Sequence, residues 1–174
     1  MSRKKQKGIF NKYKGYLRAE VQRYCRENSI KEEEFHFLSL NQWQNVYDKV
    51  LDNFVDYKYS HYNGLHWFNT NGVGKKGFYV YDSREDWDWV LKLPEIVGDS
   101  EEMLYLLLEE GGMKSKFWIA EGKADIIARL LYEGLFNDDY YIVHKKYNWM
   151  ITRNHHEMIC FIGEEDKLNI EVLK

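Results

Sequence analysis

The hydrophobic and polar positions are most regularly ordered between Tyr140 and Gly163. Tyr140-Tyr141-Ile142-Val143 is aromatic and β-branched on both faces, the composition of a strand covered from both sides. Tyr147, Trp149 and Ile151 then alternate with Asn148, Met150 and Thr152, the period of two that marks a strand. Met158 to Ile162 is again apolar on both faces and stops at Gly163. Arg153, Asn154, His155 and His156 separate the last two runs, and Asn tolerates the left-handed conformation that a tight hairpin needs. An antiparallel meander of three strands is predicted, with a histidine pair at one of its ends.

Helical spacing dominates earlier in the chain. Tyr13, Leu17, Val21 and Tyr24 predict a helix ending near Asn28. Ser39 and Gln42 have the form of a capping box ahead of the stripe Trp43, Val46, Tyr47, Val50, Leu51 and Phe54. Ser83 reads as the cap of a short helix that carries Trp87, Val90 and Leu91 and that Pro94 helps to end. Ala124 to Leu135 reads as a helix with Ile127, Leu130 and Leu131 inward. Phe78 to Tyr81 reads as a strand. Met103 to Leu108 and Lys116 to Ala120 read as a hairpin around Gly111-Gly112, although the leucine run also fits a helix by periodicity alone. Asn63-Gly64 is a turn signal that allows a further hairpin between residues 56 and 78. The expected fold is α+β: one domain, mainly an antiparallel sheet with helices packed on one face and a helical N-terminal part. Residues 1–12 are expected to form a flexible basic arm ahead of that domain, which spans 13–174.

Composition sharpens this picture. At 174 residues the chain suits one core that buries around 70% of the unfolded surface. Aromatic residues make up 17% of the chain, with 14 Tyr. Either a large core sends tyrosine hydroxyls to the surface, or part of the excess lines a recognition surface. The net charge of −3 hides an asymmetry, because residues 1–31 carry +8 and the rest −11. An acidic body of that size repels nucleic acid and attracts cationic partners. Cys25 and Cys160 have no CxxC spacing, which suits a reducing cytoplasm. No apolar run approaches the length of a membrane span, and no signal-peptide pattern follows the basic start.

The motif Tyr140 to Val143, Lys145-Lys146-Tyr147, Trp149 and Asn154-His155-His156 before an apolar strand and Gly163 resembles an uncharacterised bacterial family of unknown function. The resemblance takes in Phe117-Trp118-Ile119, the helix after it and Asp138-Asp139, and so covers roughly residues 100 to 165. It implies a small cytoplasmic α+β protein without an assigned reaction. Proteins that look like this are sometimes encoded beside secreted bacterial toxins as their immunity partners.

Catalytic signatures are missing from the sequence. Residues 69–77, NTNGVGKKG, fail as a phosphate-binding loop because Asn69 and Lys76 occupy the places that need Gly and Ser or Thr. No HExxH, Cys/His or calcium-loop spacing is present, so neither metal nor cofactor is expected. His155 and His156 are the obvious polar pair. On a strand they would point to opposite faces, and they would meet only if the turn rotated them together. Three function classes follow. The first is a non-enzymatic protein-binding module, an immunity-type inhibitor of a cationic toxin. It would present Asp138, Asp139, Tyr140, Asn154, His155 and His156 at one end of the meander, with Lys145-Lys146 at the other. The second is an enzyme using His155 or His156 as general base or metal ligand. The third is a nucleic-acid binder working through the basic arm.

Overall fold

The leucine run Met103–Glu109 settles as an interior strand, third in order, of a seven-stranded antiparallel sheet. The structure, a computed structural model, describes residues 16–55, 64–66, 70, 77–84, 86–110, 117–135 and 139–173. Among these residues the strands are β1 (Phe35–Phe37), β2 (Gly77–Asp82), β3 (Met103–Glu109), β4 (Phe117–Lys123), β5 (Tyr140–His144), β6 (Trp149–Arg153) and β7 (Met158–Gly163). Their order across the sheet is β1-β4-β3-β5-β6-β7-β2. The helices are α1 (Tyr16–Glu27), α2 (Leu40–Phe54), α3 (Leu93–Val97) and α4 (Ala124–Tyr132), with 3-10 turns at Trp87–Lys92, Glu165–Lys167 and Ile170–Leu173. The fold is a single α+β domain. No helix among the described residues is long and apolar enough to cross a membrane. The basic arm, the Gly111-Gly112 turn and most of the segment between residues 56 and 76 lie outside the described residues.

The alternation read along the chain decides which layer each side chain enters. Leu104, Leu106, Leu108, Tyr140, Ile142, Trp149, Ile151, Ile159 and Phe161 share one face with α1, α3, α4 and the C-terminal 3-10 turns. Leu107, Ile119, Tyr141, Val143, Met150, Cys160 and Ile162 share the other with Val46, Tyr47, Val50 and Phe54 of α2. The helices therefore do not all pack on one face: α2 covers the second side. Strands apolar on both faces require this, since a single layer would leave one side wet.

Several local expectations change for physical reasons. Ser39 does begin α2, its backbone N–H donating to Gln42 Oε1 at 3.1 Å. Ser83 does not cap a helix; its hydroxyl and its N–H both donate to the Glu157 carbonyl, at 2.6 and 3.0 Å. Pro94 lies in the first turn of α3 instead of ending a helix, a place where its missing N–H costs nothing. Tyr147 leaves the strand pattern and takes a φ of +58° in the β5–β6 turn.

Candidate functional site

The register fixes which groups share an end of the sheet. Tyr140 pairs with Arg153, Arg153 with Ile159, and Asp82 with Met158. The start of β5, the end of β6, the start of β7 and the end of β2 thus converge. Lys145 and Lys146 lie at the opposite end, after Val143, which pairs with Met150.

Asn154 builds the turn at this end. It is buried, at 5% exposure, and its Oδ1 accepts the backbone N–H of His156 and of Met158, each at 3.0 Å. Its backbone N–H donates to the Met158 carbonyl at 3.1 Å, and its carbonyl accepts the Glu157 N–H at 2.9 Å. The left-handed conformation expected of Asn154 falls on Glu157 instead, with φ +65°. Asn154 serves through its side-chain acceptor, the other reason Asn favours turns. Ser83, just past the end of β2, then ties the Glu157 carbonyl to the edge of the sheet.

Asp139 holds the exposed part of the turn. Its Oδ1 accepts the backbone N–H of His155 at 2.8 Å and lies 3.0 Å from His155 Nδ1. The His155 side chain is 62% exposed while the Asp139 side chain is 13% exposed. The rings of His155 and His156 lie with centroids 4.1 Å apart and planes tilted by 48°. The turn has rotated the two imidazoles together.

Tyr140 does not join them at the surface. Its ring is buried at 2% exposure, with the Arg153 guanidinium 5.7 Å from its centroid. Burial pushes the phenol far above its ordinary range, and the nearby Arg153 charge only partly opposes this. Tyr140 is thus a core residue, since the face it occupies is the one covered by α4 and its neighbours. Arg153 is itself buried, with Nη2 3.7 Å from Glu157 Oε1. Asp138 lies outside the described residues. Of the six residues expected to form one surface, the structure brings Asp139, His155 and His156 together and uses Asn154 and Tyr140 as their support.

A family model described as a family of unknown function, DUF6756, matches residues 13–174. The chain belongs to the DUF6756 family. No curated protein and no solved structure matches it. An uncharacterised family is what the C-terminal motif resembled, and the matched stretch is longer than that motif.

Other polar groups of this DUF6756 chain are engaged in the scaffold. His144 stacks on Trp149 at 5.4 Å, and its Nε2 lies 3.0 Å from Glu102 Oε1. Nothing in the sequence pairs Glu102 with His144, because Glu102 precedes β3, His144 ends β5, and only the antiparallel register brings them to the same end of the sheet. His36 Nδ1 lies 3.1 Å from the Glu32 carbonyl. The Arg18 guanidinium lies 5.3 and 5.2 Å from the ring centroids of Phe37 and Trp118, which meet edge to face, while Trp118 Nε1 donates to Glu110 at 2.8 Å. Beside Arg18, a groove of about 300 Å³ runs between α1 and β1, lined by Val21, Cys25, Ile30, Phe35 and His36 among others. Burial raises the thiols of both Cys25 and Cys160, the latter to about 11, which keeps it protonated and unreactive. Among the described residues no three His, Cys, Asp or Glu side chains gather as a metal-binding group.

Proposed function

We propose that this chain is a non-enzymatic protein-binding module, an immunity-type inhibitor that receives a cationic bacterial toxin at the Asp139, His155 and His156 end of the sheet. The observation that carries this reading is the charge of −11 on residues 32–174. A body so charged speeds the encounter with a basic surface and fixes its orientation. At the proposed end Asp139 lies against the exposed His155, while the Asp82 carboxylate pairs with Arg84 and that of Glu157 lies 3.7 Å from Arg153 Nη2. The anchor rings are then His155 and His156, because Tyr140 is inside the core.

The product of the gene adjacent to this one is the probe for the test. Its association rate with the full chain, measured by stopped-flow fluorescence, should fall as ionic strength rises. Asp139→Asn with Glu157→Gln should slow association strongly at low salt and weakly at high salt. An equal loss on Lys145→Glu with Lys146→Glu would put the interface at the wrong end, and a salt-independent rate would sink the electrostatic reading.

A second reading, an enzyme with His155 as general base, is favoured by one observation. Asp139 at 3.0 Å from Nδ1 leaves Nε2 as the basic nitrogen, the arrangement used by carboxylate-oriented histidines. The 62% exposure of His155 argues for the binding reading, since open water competes with a substrate there. Turnover in a hydrolase substrate panel that His155→Ala abolished would reverse the order of the two.

A further inference from the structure

We propose that His155 and His156 together chelate one divalent transition-metal ion of the imidazole-seeking kind, copper(II), nickel(II) or zinc(II), with Asp139 as the residue that positions His155. Neighbouring side chains of an extended strand point to opposite faces and cannot share an ion. The 154–157 turn removes that obstacle, because its backbone closes on Asn154 and brings the two rings to a centroid separation of 4.1 Å. Two imidazole nitrogens bound to one ion, each at roughly 2.0–2.1 Å, lie about 3 Å apart. With His155 held by Asp139, rings already this close are to reach that spacing by rotation of the His156 side-chain torsions.

The tautomer follows from the partner. A carboxylate only accepts hydrogen bonds at neutral pH, so the 3.0 Å contact with Asp139 puts the proton on His155 Nδ1. Nε2 keeps its lone pair, on a side chain that is 62% exposed. The carboxylate–histidine pairing that orients metal-binding imidazoles elsewhere is therefore in place before any ion arrives. Asp139 is itself held by the His155 backbone N–H at 2.8 Å, so the first ligand is ordered at little further entropic cost. Two imidazoles leave the remaining coordination positions to water, and copper(II) and nickel(II) should bind more tightly than ions lower in the affinity series. This site stands independently of the protein-binding reading.

The experiment takes the full chain without a histidine tag, strips it with EDTA, and titrates it calorimetrically with nickel chloride and then zinc chloride. One equivalent should bind. His155→Ala and His156→Ala should each weaken binding at least tenfold. Asp139→Asn should weaken it by roughly 10-fold or more while both ligands remain, in a variant whose amide spectrum matches the parent. Traces of copper(II) should broaden the amide signals of residues 154–157 first. Absence of saturable binding would overturn the proposal. So would full affinity in the double His155→Ala, His156→Ala variant, which would put the ion on the other histidines. Unchanged affinity in Asp139→Asn would remove Asp139 from its positioning role.

Discussion

Replacing Asn154 with alanine tests the turn on which the whole candidate site depends. The side-chain oxygen accepts two backbone N–H groups at 3.0 Å from a residue that is 5% exposed. The amide cannot be flipped in this assignment, because both partners are donors and only Oδ1 accepts. In the alanine variant the two N–H groups lose their acceptor together. The His156 N–H sits in an exposed residue and recovers part of its loss from water, about 0.5–1 kcal/mol net. The Met158 N–H starts a strand of the sheet and loses about 1–3 kcal/mol if left unsatisfied. The expected cost is therefore about 3 kcal/mol, which for a chain of this size lowers Tm by roughly 6–12 °C. Urea unfolding followed by tryptophan fluorescence measures it directly, with unchanged m as the sign that two-state behaviour holds. Asn154→Asp keeps an acceptor in the same place and should recover most of the loss. A loss below about 1 kcal/mol in the alanine variant, or an aspartate variant as unstable as the alanine one, would refute the acceptor role.

Gly163→Ala should be among the most damaging single substitutions, costing about 3 kcal/mol or more; its Cβ would meet the Asn148 carbonyl oxygen at 2.2 Å with φ at +123°, and a cost below 1 kcal/mol by urea titration would contradict that contact. Alkaline stability should fall as pH rises above about 9. Burial raises the folded-state values of Cys160 to about 11 and Tyr147 to about 12, and it lifts those of Tyr140 and Tyr141 well above the ordinary phenol range. The unfolded chain therefore releases these protons first. Absorbance at 295 nm should show those tyrosines ionising with the unfolding transition and not before it. Cys160 should resist a thiol-specific disulfide reagent at pH 8 in the native protein and react on unfolding; fast native labelling at that position would mean that the strand opens locally.

Strand existence over residues 140–163 was legible because both faces are apolar for most of its length, and a period of two survives in β6. The same runs carried a message about layers. A strand such as Tyr140 to Val143, with all four side chains apolar, demands cover on both sides, and α2 supplies the second cover. Reading the stripe of α2 as core was sound, since Val46, Tyr47, Val50 and Phe54 are buried. Which side of the sheet received it was not legible, because an amphipathic helix states only that it has an inner face. β1 escaped notice for a related reason: three residues, Phe35-His36-Phe37, are too short to display a period.

By itself, the sequence determined the α+β class, the meander and the end of the sheet at which Asp139 and the histidines gather, because hydrophobic periodicity and chain reversal are local properties. Only the tertiary structure decided the roles of the individual groups at that end. Tyr140 became core because the face it points to is roofed by α4 and the residues around it. Asn154 became a backbone acceptor and Glu157 took the left-handed position, because the turn is pinned through Ser83, just past the end of the neighbouring strand. Asp139 found His155 across 16 residues of sequence. Such pairings depend on register, and register is set by the packing of both faces of the sheet at once.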